Sequence, residues 1–362
     1  MRILISVPNW IGDAVMATPT LAALRDRYPE ARLSWLVRPY VAPVLEPAPE
    51  ADEVLHWGGP SGLKGWPLVS RLRSARYDLG VLLTNSFRSA WLFFAGGVRE
   101  RVGYARDGRG LLLSRRLKPP RQAGRYLPTP AITYYFELAR LLGAADRSLK
   151  MTLYTSPAGE AAADEVYRTL ELEPASTLIL APGAAFGMAK CWPPDRFAEV
   201  ARRARQEKGL RSLVLCSPDE LPVARAIVEG SDGAAAIPPE PRPGLSVAKA
   251  LVRRARAMVT NDSGLRHVAA AFGVPVVAIF GPTHVQWTET WFARETRLQA
   301  RVPCGPCQQP RCPEGHLRCM TEIAPEQVFD ALGGLLAEFP YREPDEATII
   351  HPGDAGDGSQ GS

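Results

Sequence analysis

Short apolar runs alternate with segments of helical periodicity along most of the chain. In the first half, apolar runs predict strands at residues 3–7, 33–37 and 78–83. A helical pattern extends to about residue 28, and Thr18-Pro19 within it is typical of an N-cap followed by proline at the first helical position. Strands separated by helices in this way predict a parallel sheet with helices on both faces.

The same alternation restarts near Thr177 and predicts a second α/β unit of about the same size. The predicted strands and helices of this unit lie at residues 177–181, 195–208, 212–216, 257–260, 265–272 and 274–280. Two such units indicate a cleft that faces the carboxyl ends of both sheets. The expected division is residues 1–157, residues 158–324, a final helix within 325–341, and a disordered tail, 342–362, rich in Gly, Asp and Ser.

The length of 362 residues agrees with two domains. No apolar run is long enough to cross a bilayer, and the start, MRILISVPNWIGDAV, predicts a buried strand and turn rather than a signal peptide. We therefore expect a cytoplasmic protein. The net charge of +5 is not that of a polycation, so nucleic acid is not an expected partner.

Basic residues are concentrated between Arg99 and Arg125, where nine Arg or Lys residues stand against two acidic residues. This bias favours an anionic partner for one face of the protein. A solvated, arginine-rich surface loop explains the composition as well, so both interpretations stay open. Inside the stretch, the residues available to hold phosphates or carboxylates are Arg101, Arg106, Arg109, Arg115, Arg116, Lys118, Arg121 and Arg125.

The segment 261–267, NDSGLRH, follows a predicted strand and opens a predicted helix. Free N–H groups and the positive end of the helix dipole suit a pyrophosphate there, and Gly264 lets the backbone approach it. His267 lies four residues after Ser263, on the same helical face. Simple N-capping by Asp262 or Ser263, with a histidine in the core, is the alternative interpretation.

Another loop, residues 182–193, also follows a strand of the second unit. Its two glycines and Lys190 supply the N–H donors and the positive charge that a diphosphate requires. A surface lysine on a turn is the alternative. Glu220, after the next strand, is placed to bind a ribose hydroxyl or to cap a helix.

The first strand-to-helix turn, Trp10-Ile11-Gly12-Asp13, carries one carboxylate, which is a candidate general base or an N-cap. This turn lacks the G-x-G-x-x-G pattern of dinucleotide sites. The sequence also lacks the Walker A, G-x-S-x-G and H-E-x-x-H motifs. No Asp-x-Asp occurs, so the pattern does not favour a metal-dependent sugar-nucleotide site.

Together these motifs resemble the ADP-heptose:lipopolysaccharide heptosyltransferases, glycosyltransferase family 9, and among them the pattern of the second heptosyltransferase of the inner core. The likeness covers about residues 1–338. It is strongest at residues 8–13 and 84–89 and in the stretches PGAAFGMAKCWP and VTNDSGLRHVAAAFGVPVVAIFGPT.

The resemblance implies an α/β GT-B fold, two Rossmann-like domains facing a central cleft. The N-terminal domain would bind the acceptor and the C-terminal domain the ADP-sugar, with the final helix packing back on the N-terminal domain. The implied reaction is inverting transfer of L-glycero-D-manno-heptose from ADP-heptose, without a metal ion or other cofactor. The implied acceptor is an anionic, lipid-linked core oligosaccharide of the heptosyl-Kdo-lipid A type, at the inner face of the cytoplasmic membrane, to which the enzyme attaches peripherally.

Matching motifs carry residue roles to this chain, with Asp13 as the base and Lys190 as a catalytic pyrophosphate ligand. Donor contacts are expected from Gly183, Phe186, Gly187, Lys190, Glu220, Asp262, Ser263, Gly264 and His267. Acceptor contacts are expected from Asn85, Ser86 and Arg88 of the matching stretch, and from Arg115, Arg116 and Lys118 because of the charge of the basic stretch. The match around Glu220 is loose, and Phe186 stands where the first heptosyltransferase has a hydroxyl residue.

Two questions stay open at this point. Cys304, Cys307, Cys312 and Cys319, with His316 among them, have a spacing that suits a structural metal, reduced thiols or disulfides alike. A sugar-nucleotide epimerase, a transferase for another nucleotide-sugar and a non-catalytic nucleotide-sugar binding protein are the alternative functions. An epimerase would need no acceptor, and a binding protein would not depend on Asp13.

Overall fold

The computed structural model describes residues 1–58, 66–122 and 124–351. These residues form two compact units, one of Met1–Tyr154 with the short segment Gln286–Thr290, the other of Thr155–Val285 with Trp291–Ile349. The first unit therefore ends close to the predicted boundary at residue 157. Among the described residues, no helix has both the length and the apolar character needed to span a bilayer.

The first unit is built on a six-stranded sheet in the order β3-β2-β1-β4-β5-β6, in which every neighbouring pair is parallel. A separate antiparallel pair, β7 with β8, follows it. The strands are β1 (Arg2–Ser6), β2 (Arg32–Val37), β3 (Glu53–His56), β4 (Leu79–Leu82), β5 (Glu100–Tyr104), β6 (Arg115–Leu117), β7 (Arg121–Gln122) and β8 (Arg125–Tyr126).

Six helices accompany this sheet in the described residues. They are α1 (Ile11–Met16), α2 (Thr18–Arg27), α3 (Ala42–Leu45), α4 (Trp66–Ala75), α5 (Phe87–Ala95) and α6 (Ala131–Leu141). The predicted N-cap at Thr18 is wrong, because Thr18 is already the first residue of α2 and Ala17 is its N-cap. The Thr18 hydroxyl donates instead to the carbonyl of Val15 and accepts from the N–H of Thr152, so it joins α2 to the end of the unit.

The second unit repeats the architecture of the first. Its sheet has the order β11-β10-β9-β12-β13-β14, again with parallel neighbours throughout. The strands are β9 (Thr177–Ala181), β10 (Arg211–Val214), β11 (Ala235–Ala236), β12 (Ala257–Asn261), β13 (Val276–Phe280) and β14 (Glu295–Gln299). The prediction of two parallel α/β sheets is confirmed.

The helices of the second unit follow the amphipathic pattern of the sequence. They are α7 (Pro157–Thr169), α8 (Pro194–Lys208), α9 (Leu221–Gly230), α10 (Leu245–Arg254), α11 (Gly264–Ala271), α12 (Arg318–Thr321) and α13 (Pro325–Glu338). In helix α8, neighbouring residues set both ends. The helix begins at a proline, and its C-cap is Gly209, which is in the left-handed region at φ 69°.

The final helix belongs to the second unit, which corrects the expectation that it packs on the N-terminal domain. Val328, Phe329 and Leu332 of α13 are buried in the same core as Phe197 of α8 and Ile279 of β13. The amphipathic pattern determines which side of α13 is apolar. It does not determine which apolar surface buries that side. The nearest unfilled apolar surface is the sheet of its own unit.

The segment after α13 corrects the predicted disorder in part. Residues 342–351 are described, and Ile349 forms a bridge with Thr155. The buried Arg253 donates to the Thr348 hydroxyl at 2.7 Å and to the Asp345 carbonyl at 2.8 Å, so a charged anchor orders this part of a polar segment. The rest of the predicted tail, 352–362, lies outside the described residues.

The strand order reverses direction once in each sheet, between β1 and β4 and between β9 and β12. The loops that leave neighbouring strands there run to opposite faces of the sheet and leave a crevice at the carboxyl ends. The segments that follow these four strands hold Asp13, Asn85, Lys190 and Asp262. The fold therefore brings these four predicted site residues to the point of reversal of their own sheet.

We expect Leu332→Ala to lower the free energy of unfolding by about 2–5 kcal/mol, because it leaves a cavity under α13 in the core of the second unit. Chemical denaturation followed by circular dichroism measures this change. Glu338→Ala, on the exposed end of the same helix, is the matched control. Equal, small effects of both substitutions would show that α13 is not part of this core.

Candidate active-site residues in the two units

The two loops at the point of reversal in the second unit are joined by one amide side chain. Asn261, the last residue of β12, accepts a hydrogen bond from the N–H of Trp192 at 3.2 Å. Its Nδ2 donates to the carbonyl of Pro182 at 2.5 Å. Because Asn261 is fully buried and contacts both ends of the 182–193 loop, it fixes this loop beside the 261–267 segment.

A buried ion pair lies between these loops. The Lys190 ammonium donates to Asp262 Oδ2, and the Thr283 hydroxyl donates to the same oxygen at 3.0 Å. Asp262 Oδ1 accepts from Arg266 at 3.4 Å. Burial alone would raise the pKa of Asp262, but Lys190 and Arg266 outweigh burial and hold this pKa below its usual value. Asp262 is therefore a carboxylate that holds Lys190 in place.

Arg266 connects this pair to the last strand of the sheet. It binds Glu295 of β14 with both Nε, at 2.5 Å, and Nη2, at 2.8 Å, and Arg297 contacts the same carboxylate at 2.8 Å. The linked network holds three basic side chains, Lys190, Arg266 and Arg297, and two carboxylates, Asp262 and Glu295. The cationic groups of Lys190 and Arg266 thus lie together at the start of α11, where an anionic ligand is favoured.

His267 is only 3% exposed, and burial together with the charge of Arg266 lowers its pKa to about 3. Its imidazole is therefore neutral in the physiological range. The expected contact of His267 with the donor stays a prediction, now restricted to hydrogen bonds of an uncharged ring.

Helix α11 starts at Gly264 with Ser263 as its N-cap, but the Ser263 side chain makes no capping bond. Its hydroxyl instead lies 3.0 Å from that of Thr260. The alternative in which Ser263 caps the helix through its side chain is therefore wrong. The positive end of the helix dipole lies next to the Asp262–Lys190 pair, as an anion site requires.

Both glycines of the 182–193 loop have close neighbours, which are the end of a flexible side chain at Gly183 and backbone at Gly187. A Cβ at Gly183 would lie 2.1 Å from Glu220 Oε1, and one at Gly187 would lie 2.3 Å from the carbonyl oxygen of Pro310. Gly187 also has φ 148°, in the region that favours glycine. Phe186 lies over the Lys190 ammonium, 5.4 Å from ring centroid to Nζ.

Glu220 closes a capping box with Ser217, whose N–H donates to Glu220 Oε2 at 2.8 Å. The capping alternative is therefore present in the structure. A ribose contact by Glu220 stays a prediction, and it would have to use the carboxylate while this cap is formed.

The cysteine-rich segment forms hydrogen bonds with the 182–193 loop and with the segment after β13. The carbonyl of Pro310 accepts the N–H of Ala189 at 3.2 Å, and the N–H of Gln308 donates to Pro282 at 2.8 Å. A small cavity in this segment is lined by side chains that include Cys304, Cys307, Cys312, Cys319 and His316. All six cysteines are free thiols. In the ranges that the structure describes, no three metal-ligating side chains are grouped to hold an ion.

In the first unit, Asp13 lies in the first turn of α1, whose N-cap is Trp10. The alternative in which Asp13 is the N-cap is therefore wrong. The Tyr135 hydroxyl of α6 donates to Asp13 Oδ1 at 2.8 Å. Burial, and then the charge of Asp13, raise the pKa of Tyr135 well above its usual value, so the phenol stays a proton donor and orients the carboxylate.

The loop after β4 is organised by an arginine that sequence analysis placed among the anion-binding residues. Arg109 is fully buried; it donates to the carbonyls of Thr84 and Tyr104 and, at 3.2 Å, to Asn85 Oδ1. Asn85 Oδ1 also accepts from the Tyr134 hydroxyl at 3.1 Å. Burial lowers the pKa of Arg109 to about 10. Arg109 therefore supports the loop as a buried structural cation.

The next expected acceptor residues have structural contacts as well. Ser86 is the N-cap of α5 and accepts from the N–H of Ser89 at 3.2 Å. The Arg88 guanidinium lies over the Trp57 ring, 5.0 Å from its centroid. Their acceptor contacts stay a prediction.

The basic stretch is mostly regular structure, so the interpretation as a solvated loop is wrong for much of it. Arg115 and Arg116 lie on the edge strand β6, and the β7–β8 pair follows. Arg115 pairs with Glu100 at 3.1 Å, and Arg116 donates to the carbonyl of Gly110 at 3.0 Å. Both side chains remain exposed, as does Lys118. The structure therefore leaves an exposed basic edge in the first unit.

Sequence analysis missed four residues that hold the predicted ones: Tyr134, Tyr135, Thr283 and Glu295. The two tyrosines are neighbours on α6 and reach Asn85 and Asp13 respectively. No local motif identifies them, because each bond joins residues far apart along the chain. The adjacent pair of tyrosines in an amphipathic helix was the available signal.

The model of the family described as "Glycosyltransferase family 9 (heptosyltransferase)" matches residues 66–318. Lipopolysaccharide heptosyltransferase 2 of Escherichia coli is 27% identical over 354 residues, covering 93% of this chain and 99% of that protein. Lipooligosaccharide heptosyltransferase 2 of Haemophilus influenzae is 29% identical over 362 residues, covering 93% and 100%.

The solved structure of E. coli ADP-heptose lps heptosyltransferase II is similar to this chain with a TM-score of 0.76 at 26% identity, covering 93% of this chain and 99% of that one. The two six-stranded Rossmann-like units are thus those of a GT-B glycosyltransferase. Because the family model matches well over half of the sequence, this chain belongs to glycosyltransferase family 9, the heptosyltransferase family.

Proposed function

We propose that this enzyme transfers L-glycero-D-manno-heptose from ADP-heptose to the inner core of lipopolysaccharide, on a heptosyl-Kdo-lipid A type acceptor. The observation that carries the proposal is that a family 9 chain has a positioned Lys190 beside the start of α11 in one unit. It also has a carboxylate, Asp13, that Tyr135 orients in the other unit. The relatives named heptosyltransferase 2 support the choice of sugar and acceptor. The epimerase and binding-protein alternatives are not favoured by these relatives.

The second unit binds the ADP-sugar in this proposal. A diphosphate placed at the start of α11 meets the positive end of the helix dipole and the ammonium of Lys190. Asp262 holds Lys190 on one side and Phe186 covers it on another, so the ammonium is positioned before the ligand arrives. Such preorganised charge stabilises the negative charge that develops on ADP as the glycosidic bond breaks.

The first unit binds the acceptor in this proposal. Asp13 takes the proton of the acceptor hydroxyl as that oxygen attacks the anomeric carbon from the face opposite ADP, which inverts the configuration. The Tyr135 hydroxyl bond keeps Asp13 Oδ1 in one orientation. Asn85, Ser86 and Arg88 form the neighbouring acceptor contacts.

In this proposal, protein groups alone stabilise the negative charge on the departing diphosphate. Lys190 and the start of α11 take the place that a divalent ion has in metal-dependent transferases, and no cofactor takes part. The reaction takes place in the cytoplasm, with the enzyme attached peripherally to the membrane that holds its acceptor.

Product analysis tests the proposed function directly. The enzyme is incubated with ADP-heptose and a heptosyl-Kdo-lipid A acceptor, with and without a strong chelator, and the products are identified by mass spectrometry. We expect one added heptose and one released ADP under both conditions. An altered ADP-sugar formed without acceptor would indicate an epimerase, and no reaction with tight ADP-heptose binding would indicate a binding protein.

Asp13→Asn should reduce transfer about 10²–10⁴-fold, because it removes the general base. The amide oxygen of asparagine still accepts the Tyr135 hydrogen bond, so the local geometry is retained. Affinity for ADP should stay close to that of the unmodified enzyme, since Asp13 lies in the other unit. Initial rates and calorimetric titration with ADP measure both effects. Turnover close to the unmodified rate would refute the base assignment.

Lys190→Ala should weaken ADP-heptose binding and lower kcat together, with a loss of about 10²-fold in kcat/KM, since the ammonium is a preorganised donor. Thr283→Val is the matched control, because it removes a neutral donor from the same Asp262 oxygen and keeps the positive charge. We expect this control to bind ADP more tightly than Lys190→Ala does. Equal ADP affinity in the two variants would place Lys190 outside the donor site.

Neutralising Arg115, Arg116 and Lys118 together to glutamine should raise the KM for the anionic acceptor and leave ADP affinity unchanged. These side chains are exposed on one edge of the first unit, where charge attracts phosphates and carboxylates. Steady-state kinetics at several salt concentrations measure the effect. An acceptor KM that does not change would return this edge to a purely structural role.

A further inference from the structure

Helix α5 carries an exposed aromatic stripe that the proposed chemistry does not use. Phe87, Trp91 and Phe94 are 51%, 36% and 53% exposed. Their spacing of four and three residues puts them on one face of the helix, and the buried Ser89 and Phe93 lie on the other. Three aromatic rings in a row on a surface helix are an apolar surface that calls for a partner.

Two elements that pack against α5 also carry exposed apolar side chains. Leu111, 92% exposed, lies in the turn Arg109–Leu112 that packs against α5. Trp66, 53% exposed, opens α4, which packs against α5 on another side. We call Trp66, Phe87, Trp91, Phe94 and Leu111 the aromatic face.

Arginines surround the aromatic face, and helices α4 and α5 contain no acidic residue. Arg101 lies over the Phe94 ring at 5.3 Å, and Arg73 lies over the Trp66 ring at 5.7 Å. The side chain of Arg99 is 80% exposed, with Asp78 3.6 Å away. Aromatic rings that enter the headgroup region, with guanidinium groups beside them, are what an anionic bilayer surface binds.

We propose that the aromatic face docks the enzyme on the surface of a bilayer with anionic headgroups. This inference rests on the proposed function, because a lipid-linked acceptor lies at such a surface. The stripe begins at Phe87, directly after Asn85 and Ser86, the proposed acceptor residues. Docking by α5 therefore places the acceptor-binding loop at the level of the headgroups. The helix lies on the membrane and does not cross it.

The test is sedimentation of the full-length enzyme with vesicles that contain no lipopolysaccharide. Phosphatidylcholine vesicles are compared with vesicles that also contain phosphatidylglycerol, at low and high salt. We expect binding to the anionic vesicles that weakens with salt. Trp91→Gln with Phe94→Gln should reduce this binding by at least about tenfold, because two exposed rings no longer enter the interface.

Trp291→Gln is the matched control, since this tryptophan is 59% exposed in the second unit. It should leave vesicle binding unchanged. Both sets of variants should keep the thermal unfolding midpoint. They should also keep their rate of heptose transfer to a water-soluble, deacylated acceptor, because neither touches Asp13 or Lys190.

Three outcomes would overturn the proposal: an unmodified enzyme that does not bind anionic vesicles, a double variant that binds them equally well, or a lipid-free dimer that the double variant dissociates. The last result would show that a second copy covers the aromatic face. Vesicle binding that depends on Trp91 and Phe94 without any heptose transfer would keep the docking surface and refute the proposed function instead. Transfer to the soluble acceptor without vesicle binding would keep the proposed function and refute the docking surface.

Discussion

The reversal of strand order in each parallel sheet is the constraint on which both candidate sites depend. A parallel sheet brings all its carboxyl ends to one edge, and the reversal opens a crevice there because adjacent connections leave in opposite directions. In the second unit this happens between β9 and β12. In the first it happens between β1 and β4. Lys190 and Asp262 meet across one reversal, and Asp13 follows β1 at the other.

The ion network of the second unit carries a desolvation cost that an apolar core would not have. Burying Lys190, Asp262 and Arg266 removes their hydration, and ion pairs in the interior return this cost only when the geometry is good. Here every carboxylate has more than one cationic or hydroxyl donor. The gain is a lysine that is fixed in position beside the start of α11. Such an arrangement stabilises a developing anion better than flexible surface lysines would.

Local pattern predicted the elements well and their partners poorly. The bounds of α13, 325–338, follow from Pro325 and the amphipathic repeat, yet the repeat does not say which sheet the helix covers. The loops after β9 and β12 were predicted from glycines that come after strands. The bond from Tyr135 to Asp13 spans 122 residues, and the pair of Lys190 and Asp262 spans 72. Periodicity predicts which side of a helix or strand is buried. It does not predict which residues from distant parts of the chain form a pair, because these depend on the packing of the elements. Arg109 shows the same limit, because one arginine in a basic stretch is exposed and another is buried.

The close approach of Gly183 to Glu220 links two segments that the chain keeps well apart. A side chain of any kind at position 183 would occupy the space of the Glu220 carboxylate, which in turn closes the cap that begins the next helix. An alanine or serine at position 183 would therefore displace the Glu220 carboxylate, which is the free end of a flexible side chain, and would break its bond to the N–H of Ser217. Glycine at this position thus preserves the start of the helical segment after β10 as well as the loop after β9.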